Sequence, residues 1–139
     1  MPMRRAFALA AVAALAVTSA ASAETWTKYI DTPNGTSWSF DSDYTYRDRQ
    51  SGRLIVMQAI SKPSAKLGPA GPGKSDGVGN VVGLDCANKN MIMLGGYKPA
   101  VPLEIKASWR LDSPKKAVGA DNEALFAAAC PTAATAPNK

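Results

Sequence analysis

The sequence contains no histidine and only two cysteines among its 139 residues. Without histidine there is no His-based triad, no imidazole general base and no His-ligated zinc or haem. Two thiols cannot supply a four-thiolate zinc or iron–sulfur site. Charged residues are also scarce, at 19%, and the formal charge is +5. That balance favours solubility and loose attraction to acidic surfaces without the dense basic stripe of a nucleic-acid binder. These absences speak against most small-enzyme chemistries, and we expect neither catalytic residues nor a cofactor or metal. The length accommodates one domain.

What is present first is an address. Arg4 and Arg5 precede an apolar run over 6–17, and Ala21-Ser22-Ala23 closes the stretch. The run falls short of the roughly 20 residues of a membrane-spanning helix. Basic start, short apolar centre and A-x-A end together predict a secretory signal peptide over 1–23, cut before Glu24. The chain is then exported, to the periplasm or beyond, with no stable membrane insertion after cleavage. Cys86 and Cys130 are an even pair in an oxidising compartment and lie far from C-x-x-C spacing, so they read as one structural disulfide.

Alternation of large and polar residues predicts strands over 25–30, 37–41, 53–60, 81–86, 91–94 and 103–111. Tyr44 and Tyr46 continue the second of these, and 50–52 makes a hairpin connection. Asn34-Gly35 favours a tight turn, and Gly95-Gly96 a bend or bulge. In 103–111, Leu103, Ile105, Ala107, Trp109 and Leu111 would share one face. Residues 61–80 hold five glycines (68, 71, 73, 77, 79) and three prolines (63, 69, 72) and read as a long surface loop. The period then changes. Asp121 or Asn122 would cap a helix over 124–130, with Leu125, Phe126, Ala129 and Cys130 on its apolar side and Pro131 ending it. Residues 132–139 look like a frayed, disordered tail. Trp26, Trp38 and Trp109 are expected in the core.

Two motifs fail on their chemistry. Residues 68–75 satisfy G-x-x-x-x-G-K-S, but Pro69 and Pro72 remove two of the backbone donors that a phosphate needs, and no helix pattern follows. Asp41, Asp43 and Asp48 suggest a calcium loop, yet its glycine position is Tyr46 and its final Glu position is Gly52. They read instead as solvated turn acids. Asn34-Gly35-Thr36 is a glycosylation sequon that the turn already explains.

One constellation remains. Tyr44, Tyr46, Arg47, Arg49 and Arg53 cluster on a single hairpin. Tyr and Arg are enriched at interface anchors, so a patch for acidic polymers or a protein partner is one reading, and an edge hairpin with protective charges is the other.

The landmarks follow a recognisable order: Trp26 in the opening strand, Phe40-Asp41, a hairpin, a strand ending Asp85-Cys86, then Tyr97, Trp109 with Pro114, and a terminal helix ending in Cys130. This order resembles the surface-adhesin protein E family of Gram-negative bacteria over nearly all of 24–131. The resemblance implies an α+β fold, a single antiparallel sheet of about six strands with a C-terminal helix on one face and a Cys86–Cys130 bridge. The founding adhesin binds host extracellular proteins, a role of particular members, so the resemblance carries over the fold and the cysteines and no binding residue. We expect an exported non-enzymatic binding module whose sheet face or Arg/Tyr hairpin meets an extracellular or envelope protein. The alternative is a small periplasmic enzyme or enzyme inhibitor acting through 61–80.

Overall fold

A computed structural model describes residues 25–33, 35–61, 77–98 and 101–139. The expected signal peptide, Asn34 of the sequon and the G-x-x-x-x-G-K-S motif lie outside these residues. Seven described strands form one antiparallel sheet: β1 (Trp26–Asp31), β2 (Ser37–Asp41), β3 (Tyr46–Arg47), β4 (Leu54–Ser61), β5 (Val78–Asp85), β6 (Asn90–Tyr97) and β7 (Lys115–Lys116). Their order is β1-β2-β4-β5-β6-β7, and β3 pairs with β4. Helix α1 (Ala120–Ala129) packs on one face, as expected.

The sheet is ordered by its most apolar strand. Alternate residues of β4 feed two cores. Leu54 and Val56 point toward α1, where they meet Phe40, Val82, Leu84, Leu125, Phe126 and Ala129. Ile55, Met57 and Ala59 point to the other face and pack with Val81, Ile92, Leu94, Tyr97 and Trp109. A strand buried on both faces needs apolar residues at every position, which explains the near-continuous run. Two bulges adjust the register. Tyr29 is the extra residue between Lys28↔Ser39 and Ile30↔Trp38, and its hydroxyl donates to Gln58 Oε1 at 2.9 Å. Leu94 is the extra residue between Val82↔Met93 and Val81↔Gly95, at the expected glycine pair.

β2 and β3 are one strand interrupted by a corner. The Asp41 carboxylate makes that corner by accepting N–H bonds from Thr25 (3.0 Å), Asp43 (2.9 Å) and Tyr44 (3.3 Å). The hairpin from β3 to β4 closes at Gly52, whose φ of +75° suits glycine. Asp41 and Asp48 are buried, so the expectation of solvated turn acids is corrected for both. A short polar side chain inside a turn bonds its own backbone and is buried by doing so.

The expected strand over 103–111 does not form. Residues 102–106 are irregular and a 3₁₀ turn spans Trp109–Leu111. Lys106 N–H reaches Leu94 O at 2.9 Å, and the chain then turns to seat Trp109, 3% exposed, in the second core. Leu103 and Ile105 pack beside it, whereas Ala107 is exposed and Leu111 is 87% exposed. One large indole buried under the sheet outweighs a few ladder bonds at its edge. Glycine makes this close approach possible: a Cβ on Gly95 would lie 2.4 Å from Glu104 O. Gly95→Ala is therefore expected to push 103–106 off β6 and lower the urea midpoint, with the largest loss of amide protection at Lys106.

Four smaller expectations also change. The ends of the expected loop belong to strands, Ser61 to β4 and Val78, Gly79 and Asn80 to β5; residues 62–76 lie outside the described residues. Gly119 is the N-cap of α1, with no side-chain cap; Asp121 and Asn122 lie inside the first turn, where the acid suits the helix dipole. Residues 132–139 are not a frayed tail. Cys130–Ala134 form a 3₁₀ turn, and the chain then pairs with β3: Arg47 N–H donates to Pro137 O, Lys139 N–H to Arg47 O and Arg49 N–H to Lys139 O, all within 2.8–2.9 Å. The two-residue β3 leaves backbone donors unpaired, and the tail satisfies them. Of the three tryptophans only Trp109 is fully buried; Trp26 and Trp38 are half-buried.

Candidate functional site

Cys86 follows β5 directly and Cys130 ends α1. They are bonded, with Cα atoms 6.0 Å apart across 44 residues of sequence. The bridge fixes the end of α1 and the following 3₁₀ turn beside the β3–β4 hairpin. A cleft of about 310 Å³ opens there. Its floor is Leu54, Leu84 and Cys86, and its rim is Arg47, Ser51, Arg53, Asp85 and Ala133.

The hairpin is braced from below. Asp48, 2% exposed, accepts bonds from Ser51 N–H (2.9 Å), Ser51 Oγ (2.6 Å), Arg110 Nε (2.9 Å) and Arg110 Nη2 (2.5 Å). The Arg110 fork, followed by the serine bonds, holds the Asp48 carboxyl well below the usual carboxylate range. A depressed folded-state value contributes stability that is complete above the unfolded value near 3.9 and is lost as pH falls below it. Asp41 works in the opposite sense, because burial raises its value and its protonation favours the native state as pH falls. Asp48→Asn is thus expected to flatten the loss of stability between about pH 4 and pH 2, read by urea unfolding at each pH.

The five hairpin residues do not form one patch. Tyr46 pairs with Ile55 and Arg47 with Leu54, so the rings and the Arg47 guanidinium take opposite faces. Tyr44 and Tyr46 meet edge to face at 5.9 Å and pack against the second core. Burial pushes the Tyr44 hydroxyl up to about 12, and it stays protonated at neutral pH. Lys139 Nζ sits 5.4 Å from the Tyr46 ring centroid. Arg49 is exposed and does not line the cleft. Arg47 and Arg53 do. Arg47 Nη2 donates to Ala133 O at 2.5 Å, and Arg53 Nη1 reaches Gly83 O at a long 3.4 Å.

Asp85 is the acid of the rim, and its carboxylate is already occupied. It accepts Asn88 Nδ2 (2.9 Å), Asn88 N–H (3.0 Å) and Ala87 N–H (3.1 Å). The Asn88 side chain, then these backbone donors and the nearby Arg53 charge, lower its value. An acid so held is a poor general base at neutral pH. The arrangement can bind an anion: two planar cations converge over an apolar floor with most of their N–H groups uncommitted among the described residues. No group of three or more metal-ligating side chains occurs among the described residues. Sequence reasoning missed the Asp48–Arg110 pair and the docked tail, for which no local spacing gives a signal.

Comparison with known protein families, curated proteins and solved structures finds no match for this chain.

Proposed function

We propose that this chain is an exported, non-enzymatic binding module, a surface-adhesin protein E-like domain, whose arginine-rimmed cleft receives a carboxylate of a protein partner. One observation carries the reading: Arg47 and Arg53 rim a small cleft on a disulfide-braced scaffold, and among the described residues each guanidinium makes a single hydrogen bond, to a backbone carbonyl. A guanidinium has five N–H donors in a fixed fork, so each retains the geometry for a bidentate carboxylate. The half-buried positions of both arginines limit the side-chain entropy that binding costs.

The test is capture of proteins from envelope extract and of purified extracellular-matrix proteins on the immobilised chain. Arg53→Ala is expected to reduce capture about tenfold, the scale of one charge-assisted contact, and Arg49→Ala to leave it unchanged. Capture that survives Arg53→Ala and disappears on deletion of 62–76 would overturn this reading in favour of an inhibitor or enzyme acting through that segment.

A further inference from the structure

Helix α1 leaves part of its own face of the sheet uncovered. Its strand contacts are chiefly with β1 and β2, at the far side from β6. Val82 and Met93 are register partners on β5 and β6, yet Val82 is 1% exposed and Met93 is 53% exposed. Between α1 and β7 lies a groove of about 590 Å³, within the range of small-molecule sites. Val82, Met91 and Met93 supply its apolar side, Asn122 its helical wall, and Lys115 and Lys116 its rim.

The charge of the rim is one-sided. Asp112 also lines the groove, but both its oxygens are held by Lys106 Nζ, at 3.0 and 2.9 Å. The ion pairs of the described residues are Lys28–Asp31, Lys106–Asp112 and Arg110–Asp48; neither Lys115 nor Lys116 takes part in one. Lys115 stands opposite Met91 in register, which places it on the groove side of β7. An apolar trough under an ammonium that has no ion pair among the described residues complements a ligand with an aliphatic body and an anionic head.

The backbone decides between an acyl chain and a peptide. A peptide added to β6 needs a row of free ladder groups. β7 already pairs at Asn90 and Met91, and Lys106 N–H takes Leu94 O. Between them lie only Ile92 and Met93, too short a stretch for an added strand. An unbranched acyl chain asks for no such bonds. Methionine thioethers are flexible and conform to a chain of loose shape.

We propose that this groove binds a free long-chain carboxylate, a fatty acid, with its chain along Met91 and Met93 and its head at Lys115. The site lies apart from the Arg47/Arg53 cleft and does not rest on the function proposed for it. The test is displacement of a fluorescent dansyl-labelled undecanoate by dodecanoate from the purified full exported chain. Dodecanoate is expected to bind at least about tenfold more tightly than dodecanol, and Lys115→Glu and Met93→Glu are each expected to weaken it about tenfold. Both substitutions are at exposed positions, and circular dichroism checks that the fold is kept. Arg53→Ala is expected to leave dodecanoate binding unchanged. Absence of dodecanoate binding, equal binding of dodecanol, or binding unaffected by either Glu substitution overturns the proposal.

Discussion

Replacing Cys86 and Cys130 together by serine is expected to lower stability by about 4 kcal/mol, from the loop entropy that a 44-residue cross-link removes from the unfolded chain. Such a loss is a large share of what holds a domain of this size. The effect concentrates at the C-terminal end. α1 has ten residues and no side-chain cap, too little to persist alone. It relies on Leu125, Phe126 and Ala129 against the sheet and on the bond at Cys130. Beyond it, the 3₁₀ turn and the pairing of 137–139 with β3 follow only if α1 is in place. Urea unfolding of the oxidised chain and of the double serine variant measures the difference, and amide exchange should show α1 and the tail opening first. Equal stability of the two proteins would mean that the apolar face of α1 suffices.

Trp109→Ala is expected to cost about 3–5 kcal/mol, the range for removing a large buried aromatic. The indole is the one fully buried side chain contributed by 101–112, and it holds that segment across the second face of the sheet. Gly83 makes its seat: a Cβ there would stand 3.4 Å from Trp109 Cζ3 and 3.3 Å from Ile55 Cδ1. The same segment carries Arg110, whose fork on Asp48 braces the hairpin that bears Arg47 and Arg53. Loss of the indole therefore reaches the cleft without touching it. Trp109→Phe should recover part of the stability, because a ring still fills the seat. Denaturant midpoints of the two variants give the comparison; an alanine variant within about 1 kcal/mol of the parent would contradict the packing described.

Periodicity made the main strands legible. β1, β2, β4, β5 and β6 all follow alternating or continuous apolar runs, because each buries one or both faces. The apolar side of α1 was equally plain in Leu125, Phe126 and Ala129, and the disulfide followed from counting thiols. Residues 103–111 show where that logic stops. Their alternation is as regular as that of any strand, but alternation records which side chains avoid water, not which backbone groups pair. Trp109 found its burial by leaving the edge of β6. The tail was opaque for a related reason: its polar, alanine-rich residues are held by backbone bonds to Arg47, which carry no sequence preference. The hairpin cluster was legible as a group of residue types and not as geometry. Two residues one apart in a strand face opposite ways, so Tyr46 and Arg47 could not share a surface once β3 paired with β4.

The cleft itself is best tested by titrating the isotope-labelled oxidised chain with a short glutamate-rich peptide and following backbone amide shifts. Changes are expected to gather at Arg47, Ser51, Arg53, Cys86 and Ala87, with an affinity about tenfold weaker in Arg53→Ala. Shifts centred on 62–76, or a peptide that leaves those five amides unmoved, would contradict that expectation.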